Sequence, residues 1–265
     1  MLLKWVFKIK TDEHGDIASY KARLTPKGFM QKHGVDYFEV YAGTGNFKTL
    51  RLLLSLSAKW GHCLEQMDVP SAFLFASLDE DVYMEVPEGY RDGKEGMVCK
   101  LHKSLYGLKQ APRNWYLLVS GFIKAQDGWR ACKSDPCLFY KRSRSGRLML
   151  LFLFVDDFQV SLHPEDRAEW DETKAQLVAR FHTKDMGTST WMLGMRITRD
   201  EKACTVTIDH EQYIIQALEK FGLSDCKVAA TPEAVGQEKG NGVFTAMMHA
   251  QTQLRIVPLR GCPSV

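Results

Sequence analysis

The chain has 265 residues, 45% of them apolar and 11% aromatic, which is enough for one large or two small domains with a sizeable core. Its 35 basic and 32 acidic residues give a net charge of only +3, which neither demands nor excludes a nucleic-acid partner. The seven cysteines form no CxxC pair, which argues against a disulfide framework or a zinc site. The longest apolar run, at 148–155, is too short to span a bilayer, so no membrane partner is expected.

The amino-terminal segment predicts a basic β-hairpin. β-favouring residues at 5–9 and 17–24 flank the turn-like residues 12–16. Residues 1–60 hold ten Lys or Arg against five acids, so the basic surplus of the chain is concentrated here.

Several later segments have the apolar spacing of amphipathic helices. They lie at about 47–60, 112–128, 165–182 and 210–221. Asn46 is a plausible N-cap of the first helix, and Asp209 with Gln212 resembles a capping box at the start of the last. Because helices and strands are mixed without strict alternation, the pattern favours an α+β fold.

The apolar run 148–155, the pair Asp156-Asp157 and the β-favouring residues 158–162 predict a strand, a tight turn and a second strand. Most Asp-Asp pairs are exposed polar turns, and without its neighbours this pair would be interpreted in the same way. The apolar run, however, leads the acids directly against the core, where two ionised carboxylates need a compensating cation.

Magnesium fits such a site because it is a hard ion that takes oxygen ligands and acts in pairs in phosphoryl transfer. A two-metal site needs a second ligand segment. Asp68 supplies one, at the end of the β-like residues 64–69. We therefore expect Asp68, Asp156 and Asp157 to bind two Mg²⁺ ions, with Mn²⁺ as an alternative.

These segments belong to an ordered series of motifs that resembles the reverse transcriptase of copia-type LTR retrotransposons over roughly residues 4–232. The motifs lie at 4–8, 20–29, 66–74, 82–84, 105–113, 133–136, 154–157, 184–187, 193–194 and 218–222. The resemblance implies a right-hand polymerase fold with fingers, palm and a partial thumb, the thumb beginning near 201–232, and an antiparallel palm sheet packed on helices. It also implies that the three aspartates catalyse addition of deoxynucleotides to a primer 3′-hydroxyl.

By the same resemblance, the basic residues Lys21, Arg23 and Lys27 would bind the nucleotide triphosphate from the fingers. Lys21 and Arg23 are two apart in a strand and so point the same way, and arginine offers a bidentate fork to phosphate. The alternative is a solvated edge strand, where lysine discourages aggregation.

Four further residues would complete the nucleotide site. Phe73 would exclude a ribose 2′-hydroxyl, Tyr106 and Gly107 would shape the pocket, and Lys184 would lie near the leaving pyrophosphate. The alternatives are a core aromatic, ordinary loop-to-helix punctuation and a surface lysine, respectively.

The resemblance implies an RNA or DNA template, a DNA primer and dNTPs as partners, in an intracellular setting that is either a cytoplasmic particle or the nucleus. RNase H and integrase, which accompany the family's polymerase, are absent from this sequence. Residues 233–265 no longer resemble the family, and we treat them as a separate tail for which disorder is one alternative. A catalytically silent remnant that still binds nucleic acid remains the competing hypothesis. An unrelated α+β scaffold becomes viable only if the three acids lie far apart.

Overall fold

A computed structural model describes residues 1–11, 16–225 and 253–256. Its helices are α1 (Phe47–Lys59), α2 (Ala111–Ala125), α3 (Arg167–Phe181) and α4 (Glu211–Lys220). Its strands are β1 (Leu3–Thr11), β2 (Ile17–Pro26), β3 (Cys63–Asp68), β4 (Tyr83–Glu85), β5 (Val98–Lys100), β6 (Arg130–Ala131), β7 (Leu138–Arg142), β8 (Leu148–Phe154), β9 (Asp157–Leu162), β10 (Lys184–Thr188), β11 (Trp191–Met192), β12 (Met195–Asp200), β13 (Thr205–Asp209) and β14 (Gln253–Ile256).

A six-stranded antiparallel sheet in the order β10-β3-β9-β8-β7-β6 forms the centre of the molecule. Its apolar strand β8 is almost entirely buried because both faces of the sheet are covered. A four-stranded sheet, β11-β12-β13-β14, and the hairpins β1-β2 and β4-β5 surround it. The predicted α+β class is therefore confirmed.

Side-chain alternation gives the central sheet two different faces. On one face, the buried side chains of α2 and α3 pack with sheet residues such as Met67 and Phe158. On the other face, α1 and the strands β12 and β13 pack with residues such as Leu64 and Phe152. The layers on both faces of the sheet therefore pack against β3 and β9, the two strands that carry the acids.

The predicted hairpin and all four predicted helices are present, although the start of α4 differs from the prediction. The Asn46 side chain caps α1 by accepting a hydrogen bond from the Lys48 N–H at 2.8 Å, as expected. At α4 the N-cap is His210, and the predicted capping box is wrong. Asp209 ends β13 and lies one residue before the N-cap: its Oδ2 accepts from Arg196 at 3.0 Å, and its Oδ1 accepts from the Glu211 N–H at 3.3 Å.

No helix in the described part of the chain is long and apolar enough to cross a membrane. The predicted turn at 12–15 and most of the predicted tail lie outside the described residues. Residues 253–256 are the exception, since they pair with β13 as the outer strand of the four-stranded sheet.

A buried polar cluster connects α1 to the central sheet. The Ser57 and Ser161 hydroxyl oxygens lie 2.7 Å apart, and His62 Nδ1 lies 3.0 Å from Ser161 Oγ. Burial lowers the pKa of His62 to about 4, and the neighbouring positive charge of His163 acts in the same direction. His62 is therefore neutral in the folded protein at neutral pH.

This cluster predicts a loss of stability in mild acid. The folded-state pKa of His62 lies below its ordinary value near 6.5, so the unfolded chain gains a proton first as the pH falls. We expect about 3 kcal/mol of unfolding free energy to be lost between pH 7 and 4 through this group. Chemical denaturation of the wild type and of His62→Gln at both pH values should show a steeper pH dependence in the wild type. Parallel pH dependences would contradict the prediction.

Candidate functional site

The two adjacent acids lie at the tip of the β8-β9 hairpin. Phe154 pairs with Asp157 across the two strands, which leaves Val155 and Asp156 as the turn. Val155 has a φ of 57°, a conformation that is strained for a β-branched residue. The indole N–H of Trp115 on α2 donates a 2.6 Å hydrogen bond to the Val155 carbonyl. Helix α2 thus holds the strained turn in place.

The third acid joins the same tip through the register of the sheet. Asp68 on β3 lies directly opposite Asp157 on β9, and side chains at such paired positions project from the same face. Beyond this pair, the Val69 N–H donates to the Asp156 carbonyl at 2.9 Å. Gln66 Nε2 also donates to Asp157 Oδ1 at 3.3 Å. The alternative of widely separated acids is therefore excluded.

Burial makes this cluster electrostatically unfavourable without a cation. The pKa values of Asp156 and Asp157 are both raised, mainly by burial, and the charge of Asp68 adds to the shift of each. Clustered carboxylate oxygens are the donors that Mg²⁺ prefers, so the residue types fit that ion. Within residues 1–11, 16–225 and 253–256, no three His, Cys, Asp or Glu side chains are placed so that they could hold a metal ion.

Two of the predicted phosphate-binding residues lie near the acids. Burial lowers the pKa of Lys21, as does repulsion from Arg23, whereas the charges of Asp68 and Asp156 raise it. Arg23 in turn lowers the pKa of Asp156. Lys21 and Arg23, which point the same way by strand alternation, are therefore close enough to the acids to act on them electrostatically.

The remaining predicted lysines occupy different positions. Lys27 is not among the charges that act most strongly on Asp156, and its backbone N–H donates to the Leu2 carbonyl at 2.9 Å. Lys184 is exposed on β10 and lies directly opposite Asp68. It therefore extends the row formed by Asp68 and Asp157 to the edge of the sheet.

The rings of Phe73 and Tyr106 contact each other with centroids 4.5 Å apart and planes tilted by 46°. Phe73 is 8% exposed and belongs to the core that packs on α2 and α3, so the core-aromatic interpretation describes most of its contacts. The Arg23 guanidinium lies 5.2 Å from the Tyr106 ring centroid, a cation–π contact. Burial raises the pKa of Tyr106, and the negative charge of Asp156 raises it further.

Gly107 allows the loop before α2 to approach the end of β2. Its φ is +111°, and a Cβ there would lie 2.4 Å from the Pro26 carbonyl oxygen. A Cβ on Gly28 would lie 1.8 Å from the Gly107 carbonyl oxygen. Two backbones therefore meet without room for a side chain, and this contact attaches the basic hairpin next to the acids. The sequence motifs predicted a role for Gly107 but none for Gly28, although Gly28 lies within the motif at 20–29.

Comparison with known proteins assigns the chain to a class. Residues 1–235 match the family model described as "Reverse transcriptase (RNA-dependent DNA polymerase)". This match covers most of the chain, so the protein belongs to the reverse transcriptase family.

Individual relatives refine that assignment. The chain is 41% identical over 232 residues to the Retrovirus-related Pol polyprotein from transposon TNT 1-94 of Nicotiana tabacum, a match that covers 87% of this chain and 17% of that protein. It is 32% identical over 238 residues to the corresponding polyprotein from transposon RE1 of Arabidopsis thaliana, covering 87% of this chain and 15% of the relative. These relatives confirm the predicted copia-type reverse transcriptase domain. The chain spans less than a fifth of their length.

Proposed function

We propose that this domain adds deoxynucleotides to a primer 3′-hydroxyl on an RNA or DNA template by two-metal-ion phosphoryl transfer. The observation that carries the proposal is the paired register of Asp68 and Asp157, with Asp156 next to them in the hairpin turn. In this proposal, residues 1–232 form the fingers, the palm and the start of a thumb. The central sheet is the palm and the β1-β2 hairpin belongs to the fingers.

Asp68, Asp156 and Asp157 would hold two Mg²⁺ ions, or Mn²⁺ in their place. When bound, such ions supply activation of the primer hydroxyl and compensation of the charge that develops on the triphosphate. Burial and the neighbouring carboxylates raise the pKa values of Asp156 and Asp157, and bound cations would offset this by stabilising the ionised forms. Gln66 keeps the Asp157 side chain oriented through its hydrogen bond.

The basic side chains around the acids would bind the triphosphate. Lys21 and Arg23 face the carboxylates from β2 and would neutralise the phosphate oxygens, with Lys27 at the end of the same strand in a weaker role. Lys184, opposite Asp68, would stabilise or protonate the departing pyrophosphate.

The aromatic pair Phe73 and Tyr106 would position the sugar of the incoming nucleotide. Phe73 and Tyr106 form a rigid apolar wall beside the acids, and Gly107 lets the backbone approach closely. A bulky ring beneath the sugar would leave no space for a ribose 2′-hydroxyl, which makes DNA the expected product.

Primer extension tests the proposal directly. The purified chain should extend a DNA primer annealed to an RNA template when Mg²⁺ and the complementary dNTP are present, and chelation of the metal should abolish extension. Extension should also depend on the template, so that only the complementary dNTP is added. A chain that extends no primer with either Mg²⁺ or Mn²⁺ would contradict the proposal.

A second candidate is a catalytically silent domain that binds nucleic acid. It is favoured by the lack of a preformed metal cage among the described residues and by the lysines of the β1-β2 hairpin, which do not depend on the acids. Binding to a labelled primer–template that weakens with salt and is unchanged by Asp156→Asn, without any synthesis by the wild type, would favour it.

A further inference from the structure

Glu65 is a buried carboxylate on β3, three residues before Asp68, and it plays no part in the proposed chemistry. It is 4% exposed, and all of its charged partners come from α3. The Trp170 indole N–H donates to Glu65 Oε2 at 2.9 Å, Lys174 Nζ lies 3.3 Å from the same oxygen, and Arg167 pairs with Oε1. A buried charge with this many partners is satisfied, and it fixes the Lys174 ammonium beside the sheet.

Lys174 has a second partner on the neighbouring strand. Its Nζ lies 2.6 Å from Asp185 Oδ2 on β10, the edge strand of the central sheet. The hydrogen bond from Lys174 lowers the pKa of Asp185, and the bond from the Gly187 N–H adds to this. Lys174 therefore joins β3 to β10 through two carboxylates.

The β10 strand contains a bulge at this point. Asp185 pairs with Met67, and the next paired residue is Gly187, which pairs with Gln66. Asp185 Oδ1 accepts the Gly187 N–H at 2.9 Å and so closes the bulge. Bulges at sheet edges re-aim neighbouring side chains.

Strand alternation connects this contact to the catalytic row. Asp185 lies opposite Met67, on the face that packs against α3, so Lys184 must project from the other face, where it lies opposite Asp68. Every residue of β10 is exposed, so little packing orients the strand. Backbone pairing with β3 and the hydrogen bonds of Ser189 hold the strand in the sheet, and the ion pair between Lys174 and Asp185 is the side-chain contact that ties β10 to α3.

We propose that Lys174 is a positioning residue for nucleotide addition, which holds Asp185 against α3 and thereby keeps Lys184 beside Asp68. This inference rests on the proposed function, because Lys184 matters only if the acids bind a nucleotide. Lys174 itself lies on the opposite face of the sheet from the acids and acts through Lys184.

A double-mutant cycle tests the proposal. Lys174→Met should slow single-nucleotide addition about tenfold at saturating dNTP, but less than twofold when Lys184→Met is already present, because the two residues act through one group. In the unliganded protein, Lys174→Met should also speed hydrogen exchange over residues 184–188 by roughly tenfold. Asp185→Asn removes the other half of the pair and should give the same two results. Lys174→Arg, which keeps the charge, should restore most of the rate.

Lys141→Met is the matched control. Lys141 on β7 pairs with Glu169 of α3 at 2.9 Å; it is buried, whereas Lys174 is half-buried, and β7 lies four strands away from β10 in the same sheet. This variant should lower stability while leaving exchange at 184–188 unchanged, and its effect on rate should be additive with Lys184→Met. Unchanged exchange in Lys174→Met, or additive rates in the cycle, would overturn the proposal. Failure of the proposed function is separately visible, since the wild type would then extend no primer, whereas the exchange comparison requires no activity.

Discussion

Replacing Asp156 by Asn is expected to abolish primer extension without weakening the fold. The substitution removes one of three carboxylates around the proposed metal ions, and we expect a loss on the order of 10³-fold or more in the rate of nucleotide addition. The folded-state pKa of Asp156 is raised by burial and by Asp68, so its ionised form costs free energy at neutral pH. A neutral side chain of the same shape should therefore leave the unfolding temperature equal or higher.

Activity is expected to fall while the unfolding temperature stays equal or rises, and this combination distinguishes a metal ligand from a structural aspartate. A structural aspartate would lose stability and activity together, whereas a metal ligand loses only activity. Gel-resolved primer extension and thermal denaturation should be measured on the same preparation. Asp171→Asn, on the exposed side of α3, is the matched control and should change neither quantity. Undiminished extension by Asp156→Asn would rule out the assignment of Asp156 as a catalytic ligand.

Replacing Gly107 by Ala is expected to cause a large loss of stability at the site. The added Cβ would meet the Pro26 carbonyl oxygen at 2.4 Å, and the φ of +111° is unfavourable for any residue with a side chain. Backbone strain and overpacking together should lower the free energy of unfolding by about 3 kcal/mol or more. Because this contact attaches the β1-β2 hairpin, nucleotide addition should fall as Lys21 and Arg23 move away from the acids.

A second glycine separates the two causes of that loss. Gly146 also has a positive φ, +85°, but a Cβ there would meet nothing within 4 Å. Gly146→Ala should therefore lower the free energy of unfolding through backbone strain alone, by about 1–2 kcal/mol, and leave activity intact. Urea denaturation of both variants measures the difference. Equal losses in the two variants would show that backbone conformation, and not the close approach of Gly107 to β2, decides the effect.

Much of the local structure was predictable because it depends on short-range periodicity. The spacing of Leu50, Leu53 and Leu54 predicted α1, and the continuous apolar run at 148–154 predicted a buried strand that ends at the two acids. The capping of α4 was not predictable in this way. Asp209 has the chemistry of a helix cap, but its ion pair with Arg196 on the adjacent strand holds it in β13.

By itself, the sequence indicated Asp156-Asp157 and the pair Lys21 and Arg23 as candidate site residues, with an exposed polar turn and a solvated edge strand as the respective alternatives. Only the tertiary structure decided how they meet. The register that sets Asp68 opposite Asp157 and the hydrogen bond by which Trp115 holds the strained Val155 join segments far apart in the chain. Strand register and helix docking are fixed by the packing of whole faces, and no local pattern contains that information.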